Sequence, residues 1–379
     1  MRYQVLCSAL LWCVGLGVTS ALAEDLPEPE VLAQWGAVEW AEAAERVAPI
    51  IEDEFDREDV LTNILFALCQ VPGQEERVEA LADASVQRIQ ALGGDPLDAD
   101  YQYPSSVYAY ARIGKLDKAR QTHALIQDPS ESTWGLLQLA WGTAERQEIE
   151  ATAELFEQIE AGMADLDEFT RGWYEAEVPM LMWLVGQQEA AMAKAEAIVP
   201  EDASADALLY LGDLAMDFGD EALAEKCLNQ AQAIMKRLPD RGLWQVASAA
   251  SLKARLGAPD EAAIMMLRLN EPYEIVQVGG EVARAYQAAG NAQGAEQMLT
   301  RLQRVVESVR PEPGFMEAGD IAYLWSDWAV AAHDCGRVDM VAEAWAQSDS
   351  SLTQGMIATG IAIEIAWVQW IEQHKDQVE

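Results

Sequence analysis

The sequence predicts an all-α fold, a solenoid of stacked antiparallel helix hairpins, and three observations carry that expectation. Glycine is followed five residues later by alanine at Gly114/Ala119, Gly186/Ala191, Gly219/Ala224, Gly257/Ala262 and Gly290/Ala295, each time where one apolar helical stretch gives way to another. The spacing is regular: Gly186 to Gly219 and Gly257 to Gly290 are both 33 residues, Gly219 to Gly257 is 38, and Gly114 to Gly186 is 72, or two units. Prolines mark the other corners, at Asp128-Pro129, Val199-Pro200, Leu238-Pro239 and Glu271-Pro272, where each stops the helix it follows. A period of this size is the mark of a stacked repeat, in which no unit buries its apolar face alone.

The chain opens with Met1 and Arg2, an apolar run from Val5 to Val18, and the small residues of Ala21-Leu22-Ala23. That order reads as an export signal over residues 1–23, cleaved near Ala23 to leave a mature chain from Glu24, in the periplasm or secreted. An uncleaved anchor is the competing reading, but the run falls short of the ~20 residues that span a bilayer. Cys13 follows the bulky Trp12, which does not suit lipoprotein processing.

Residues 24–60 form an acidic segment in which Glu28 to Ile51 reads as one amphipathic helix, with Val31, Trp35, Val38, Ala41, Ala44 and Val47 at helical spacing; the acidic run Glu52 to Asp56 ends it. Residues 61–350 hold the repeats. The first is the run from Leu61 to Cys69, the stop at Pro72-Gly73 and the stretch from Val78 to Leu92, followed by a loop at Gly93-Gly94-Asp95-Pro96. From Tyr101 the pattern becomes regular. The unit from Trp134 to Ile159 has lost its turn glycine at Arg146-Gln147-Glu148. Residues 351–379 close the chain with a helix over Leu352 to Ile371, in which Ile357, Ile361, Ile365 and Val368 form one stripe and Ile363, Trp367 and Trp370 a second. Gln354, Glu364 and Gln369 argue against a transmembrane span there and for a helix that seals the end of the stack.

The unit around Gly219 resembles a tetratricopeptide repeat. Leu211-Gly212 precedes the turn, and Ala224, Leu228 and Ala231 follow it. The unit around Gly290 keeps Tyr286, Ala295, Leu299 and Leu302, and the last has Trp325 at the family's tryptophan position, with Trp328-Ala329 before Gly336. Small residues are needed where Gly212 and Ala224 meet, since larger ones would hold the two helices apart. The resemblance is to a divergent array, and it implies a right-handed solenoid of about eight hairpins whose first helices line a concave face.

Removing the signal takes Arg2 and leaves 24 basic against 64 acidic residues, a net charge of −40. Such a surface repels phosphate backbones and anionic headgroups, which excludes nucleic acid. It reads as adaptation to an external or salty medium, or as complementarity to a basic partner or to divalent cations. Cys69, Cys227 and Cys335 remain, an odd number in apolar patterns, so a disulfide framework is not expected.

No catalytic signature is present: the three histidines are far apart, and the chain lacks HExxH, CxxC, GxSxG and phosphate-loop motifs. No cofactor or metal site is expected. Asp95, Asp98 and Asp100 crowd one loop, but without the spacing of a calcium loop they read as solvated, with Asp98 or Asp100 capping the next helix. The twelve of thirteen tryptophans that remain after signal removal, with many carboxylates on a helical frame, also describe an (α/α)-barrel acting on polysaccharide, a rival that the short loops and short period disfavour.

In the family that the chain resembles, groove-facing positions lie 13, 10, six, three and two residues before the turn glycine. Transferred here, they imply Tyr101, Trp173, Asp206, Trp244, Gln277 and Tyr323 at thirteen, Trp183, Gln287 and His333 at three, and Arg112, Asp217 and Arg255 at two. The same aromatics could instead pack between hairpins. A mixed aromatic and charged groove suits an extended protein or peptide partner, so the expectation is a non-catalytic interaction scaffold of the envelope or secreted space. The alternatives are a carbohydrate-active enzyme and an acidic cation-binding protein; the oligomeric state is left open.

Overall fold

The computed structural model describes residues 26–92, 100–238, 243–311, 318–348 and 350–375; residues 1–23, Asp95, Asp98 and Pro239 lie outside them. The described residues are helical, with no strand among them. Two helices, α1 (Pro29–Leu32) and α2 (Ala37–Val47), lead into eight hairpins. These are α3 (Glu54–Leu68) with α4 (Glu75–Leu92), α5 (Tyr103–Arg112) with α6 (Leu116–His123), α7 (Pro129–Glu145) with α8 (Ile149–Met163), and α9 (Glu168–Leu184) with α10 (Gln188–Ala197). They continue as α11 (Glu201–Asp217) with α12 (Glu221–Met235), α13 (Leu243–Arg255) with α14 (Pro259–Met266), α15 (Pro272–Ala288) with α16 (Ala292–Ser308), and α17 (Ala318–Asp334) with α18 (Val338–Gln347). A last long helix is α19 (Ser351–His374).

Each hairpin turns on one residue in the left-handed region: Gly73, Gly114, Gly186, Gly219, Gly257, Gly290 and Gly336 with φ between 73° and 85°, and Gln147 with φ 60° in the unit that lacks glycine. The residue after each turn from Gly114 onward donates its N–H five residues back, as Lys115 does to Tyr110 (2.8 Å) and Asp220 to Ala215 (2.8 Å), closing a Schellman-type end. At Gly212 space is the constraint: an added Cβ would stand 2.8 Å from Leu252 and 3.0 Å from Cys227, with the Ala224 carbonyl at 3.5 Å. The close crossing expected from the Leu-Gly pair is therefore present.

Four local expectations need correcting. Residues 28–51 are not one helix, because the chain is extended at Gly36 (ψ −173°) and Trp35 turns to meet Trp40 edge-on at 5.1 Å. The acidic run at 52–56 starts a helix: Asp53 accepts from the N–H groups of Phe55 (2.9 Å) and Asp56 (3.1 Å), and acids are favoured at that positive end. That helix, α3, runs through residue 60. Pro129 and Pro272 occupy the first turns of α7 and α15, where their fixed φ and missing N–H cost nothing, so they begin helices. Asp100 is buried and accepts from the backbone N–H groups of Gln127 and Asp128, both at 2.7 Å, instead of capping the next helix in a solvated loop.

First helices pack on one another in the series α3, α5, α7, α9, α11, α13, α15, α17, and α17 packs on α19. The series then closes, since α19 also packs against α2 and α3. Its first half fits tightly there: a Cβ on Gly355 would lie 3.0 Å from Val60 and 3.4 Å from Val47, and Ser326 of α17 donates to the Met356 carbonyl (2.9 Å). Residues at the two ends of the chain thus share one core.

An added Cβ at Gly219 meets nothing within 4 Å, so Gly219→Ala should cost only the left-handed conformation, about 1 kcal/mol, and Gln147→Gly should recover a similar amount. Urea unfolding of the two variants beside the parent checks both signs.

Candidate functional site

The second half of α19 lies against the carboxyl-terminal ends of α5 and α11, and the residues it meets there connect to the ends of α7, α9 and α13. The Arg112 guanidinium, at the end of α5, sits 5.6 Å above the Trp370 ring and pairs with Glu145 of α7 (3.1 Å). Glu145 also accepts from the Tyr108 hydroxyl (2.6 Å), which in turn accepts from Gln70 (2.9 Å). Trp183 of α9 packs edge-on against Phe218 at 5.0 Å, and Phe218 against Trp370 at 5.9 Å.

The Trp367 indole N–H donates to Asp217 at the end of α11 (3.2 Å). The other Asp217 oxygen accepts from Arg255 of α13 (2.6 Å), which also pairs with Asp213 (2.5 Å). Arg284 of α15 joins Glu281 (2.7 Å) to Asp334 of α17 (2.9 Å). Burial pushes the Glu364 carboxyl up to about 7, and Asp334 adds to the rise while Arg284 opposes it. Carboxylates, arginines and tryptophans that are scattered over 260 positions of sequence so become one contiguous surface around one helix.

Arg112, Trp183 and Arg255 belong to this surface. His333 faces elsewhere, edge-on to Trp40 of α2 at 6.3 Å. Tyr101, Trp173, Asp206, Trp244 and Tyr323 lie near the opposite ends of the first helices, ten or more residues and so roughly 15 Å along the axis. There Tyr101 donates to Asp59 (3.2 Å), Trp173 meets the Phe169 ring at 5.9 Å, and Asp206 accepts from Gln245 (3.2 Å). Trp173, Trp244 and Tyr323 keep partial exposure, whereas Trp183 is 2% exposed. These nine residues therefore divide between two rims.

What the offsets alone missed is the helix that meets the first rim. Trp367 and Trp370 were legible only as a second apolar stripe on the last helix, and a helix apolar on most of its circumference has to be enclosed. Glu145 stands two residues before Gln147, at the same offset as Arg112 and Arg255, and was hidden by the missing glycine.

Among the described residues no cluster of histidine, cysteine and carboxylate side chains could hold a metal ion. Cys69, Cys227 and Cys335 are free and buried, and burial pushes their thiols up to about 12, 12 and 11. They stay neutral and behave as small apolar groups.

The chain matches no protein-family model and no curated protein. The site is therefore read from its own geometry.

Four carboxyls, Asp59, Glu131, Asp206 and Glu364, are raised to about 7, each chiefly by burial. The folded state then holds protons that the unfolded chain releases above about 4.5, so their contribution is full below that pH and is lost as pH rises through 7. The thermal midpoint should fall between pH 5 and pH 8. Glu364→Gln should flatten that slope and stabilise the protein at pH 8 by roughly 1–2 kcal/mol, measured by urea unfolding at both pH values.

Proposed function

We propose that the protein is an exported, non-catalytic interaction scaffold, a divergent tetratricopeptide-like right-handed solenoid whose inner face grips an amphipathic helix. The observation that carries this reading is that the face already holds one. Arginine and tryptophan are the side chains that anchor interfaces, and here Arg112, Trp183 and Phe218 surround a tryptophan of α19 while Asp217 accepts from the other. Trp367 and Trp370 are three residues apart on α19, the spacing by which a groove reads one face of a helix. A partner that offers a similar helix competes with α19 for the same residues.

Two further features support the reading. The stretch of α19 long and apolar enough to cross a membrane is 67% buried inside the protein, which fits a groove-filling helix better than a span. The net charge of −39 disfavours nucleic acid and anionic lipid and favours a basic partner. The order of charge, apolar run and Ala-Leu-Ala in residues 1–23 supports a periplasmic or secreted location.

Three measurements test these points. A Trp367→Ala/Trp370→Ala chain that keeps its circular dichroism should bind a labelled peptide of residues 358–375 with a Kd on the order of micromolar, and the parent should not. A folded variant that ignores the peptide removes the groove reading, and polysaccharide cleavage lost on replacing one carboxylate would make the protein an enzyme. Amino-terminal sequencing of exported material should begin at Glu24; an intact Met1 on membrane-retained material would mean an anchor.

A further inference from the structure

The inner face continues past the reach of α19. On α13, Trp244, Ser248, Ser251 and Arg255 step by four, three and four residues, which places them on one face of the helix. Arg255, at the α19 end, is satisfied by Asp213 and Asp217. Further along the face the polar atoms are not. The hydroxyls of Ser248 and Ser251, residues 2% and 3% exposed, have no hydrogen-bond partner among the described residues. At the level of Trp244 on the two flanking helices, Oδ1 of Asp206 on α11 and Oε1 of Gln277 on α15 are buried and lack one as well.

Four such atoms lie on three adjacent helices, and burying a polar atom without a partner costs free energy that folding does not recover. Packing could have removed the cost. Position 248 corresponds to Tyr210 and Glu281 on the neighbouring helices, and position 251 to Asp213 and Arg284, so α13 carries the smallest polar side chains where its neighbours carry large ones. Beside this strip Trp244 stays partly exposed.

The Gln277 amide oxygen accepts only, and so does Asp206 once ionised, the form that a neighbouring cation favours, so the group that completes them donates. A guanidinium offers five donors and no acceptor and stacks on an indole; an ammonium offers three. Sugar hydroxyls also stack on indoles, but they bring acceptors into a strip that already has an excess, inside a protein of strongly negative charge. We propose that Asp206, Tyr210, Trp244, Ser248, Ser251 and Gln277 form a binding site for the cationic side chain of a basic peptide segment. The assignment rests on the scaffold reading and names the side chain that the partner brings.

The test uses the full chain and a fluorescein-labelled peptide of alternating arginine and glycine, followed by anisotropy at physiological salt. Ser248→Ala/Ser251→Ala removes unpartnered hydroxyls, so its thermal midpoint should rise while peptide binding weakens about tenfold. Asp206→Asn should weaken binding to a similar degree, whereas Glu154→Gln, an equal change of charge at an exposed position on α8, should not. Equal losses for Asp206→Asn and Glu154→Gln would mean that net charge alone attracts the peptide, and the strip would be no site. Unchanged binding in the double serine variant would overturn the proposal, as would a neutral oligosaccharide that saturates the strip when the peptide does not. None of these outcomes touches the peptide of residues 358–375, whose binding judges the scaffold reading separately.

Discussion

A helix that is apolar around most of its circumference has to be surrounded, and α19 meets that demand by packing on α17, α2 and α3 at once and then meeting the ends of α5 and α11. Nearly everything else in the architecture depends on that enclosure. It joins the last hairpin to the first, so neither end of the series is left as a bare apolar face. It also brings α2 into the core: Val47 lies close to Gly355, and Trp40 meets His333. One helix thus covers both the first and the last hairpin of the series.

Charges on the inner face follow from the same geometry. Several first helices carry charged groups at or near the ends that face α19, in a poorly solvated place, and the pairs form across helices: Arg112 with Glu145, Arg255 with Asp217, Arg284 with Asp334. Such pairs offset much of their own desolvation and add little net stability, while removing one member leaves an uncompensated charge at a cost of about 3–5 kcal/mol. Their consequence is selective. A helix lying in another register would strand Asp217 and Arg112 without the two tryptophans. Glu364 enters the same region, and burial first, with the nearby Asp334 second, keeps its proton far up the pH scale.

Much of the fold was legible because it is local. A left-handed turn requires glycine or a tolerated substitute, and seven glycines and Gln147 mark the eight turns. Alanine five residues on, the Gly212 crossing and the apolar stripes are short-range consequences of helix geometry and close packing. The errors were local too. Gly36 broke a helix whose apolar spacing ran straight through it, because periodicity does not register one extended residue. The acidic run at 52–56 looked like a stop until its first members stood at a helix amino terminus, where negative charge is favoured.

By itself the sequence determined the all-helical composition, the positions of the turns and which faces of the helices are apolar, since each of these depends on residues within one turn or one hairpin of each other. Only the tertiary structure decided where those faces point. Trp367 meets Asp217 across 150 positions, and Trp370 meets Arg112 across 258, separations at which no periodicity carries information. Offsets from a turn placed Arg112, Trp183 and Arg255 on an inner face, but what fills that face depends on the summed curvature of eight hairpins. A small rotation at each crossing, repeated along the chain, sets whether the series stays open or returns to its own beginning, and that sum is not written in any one unit.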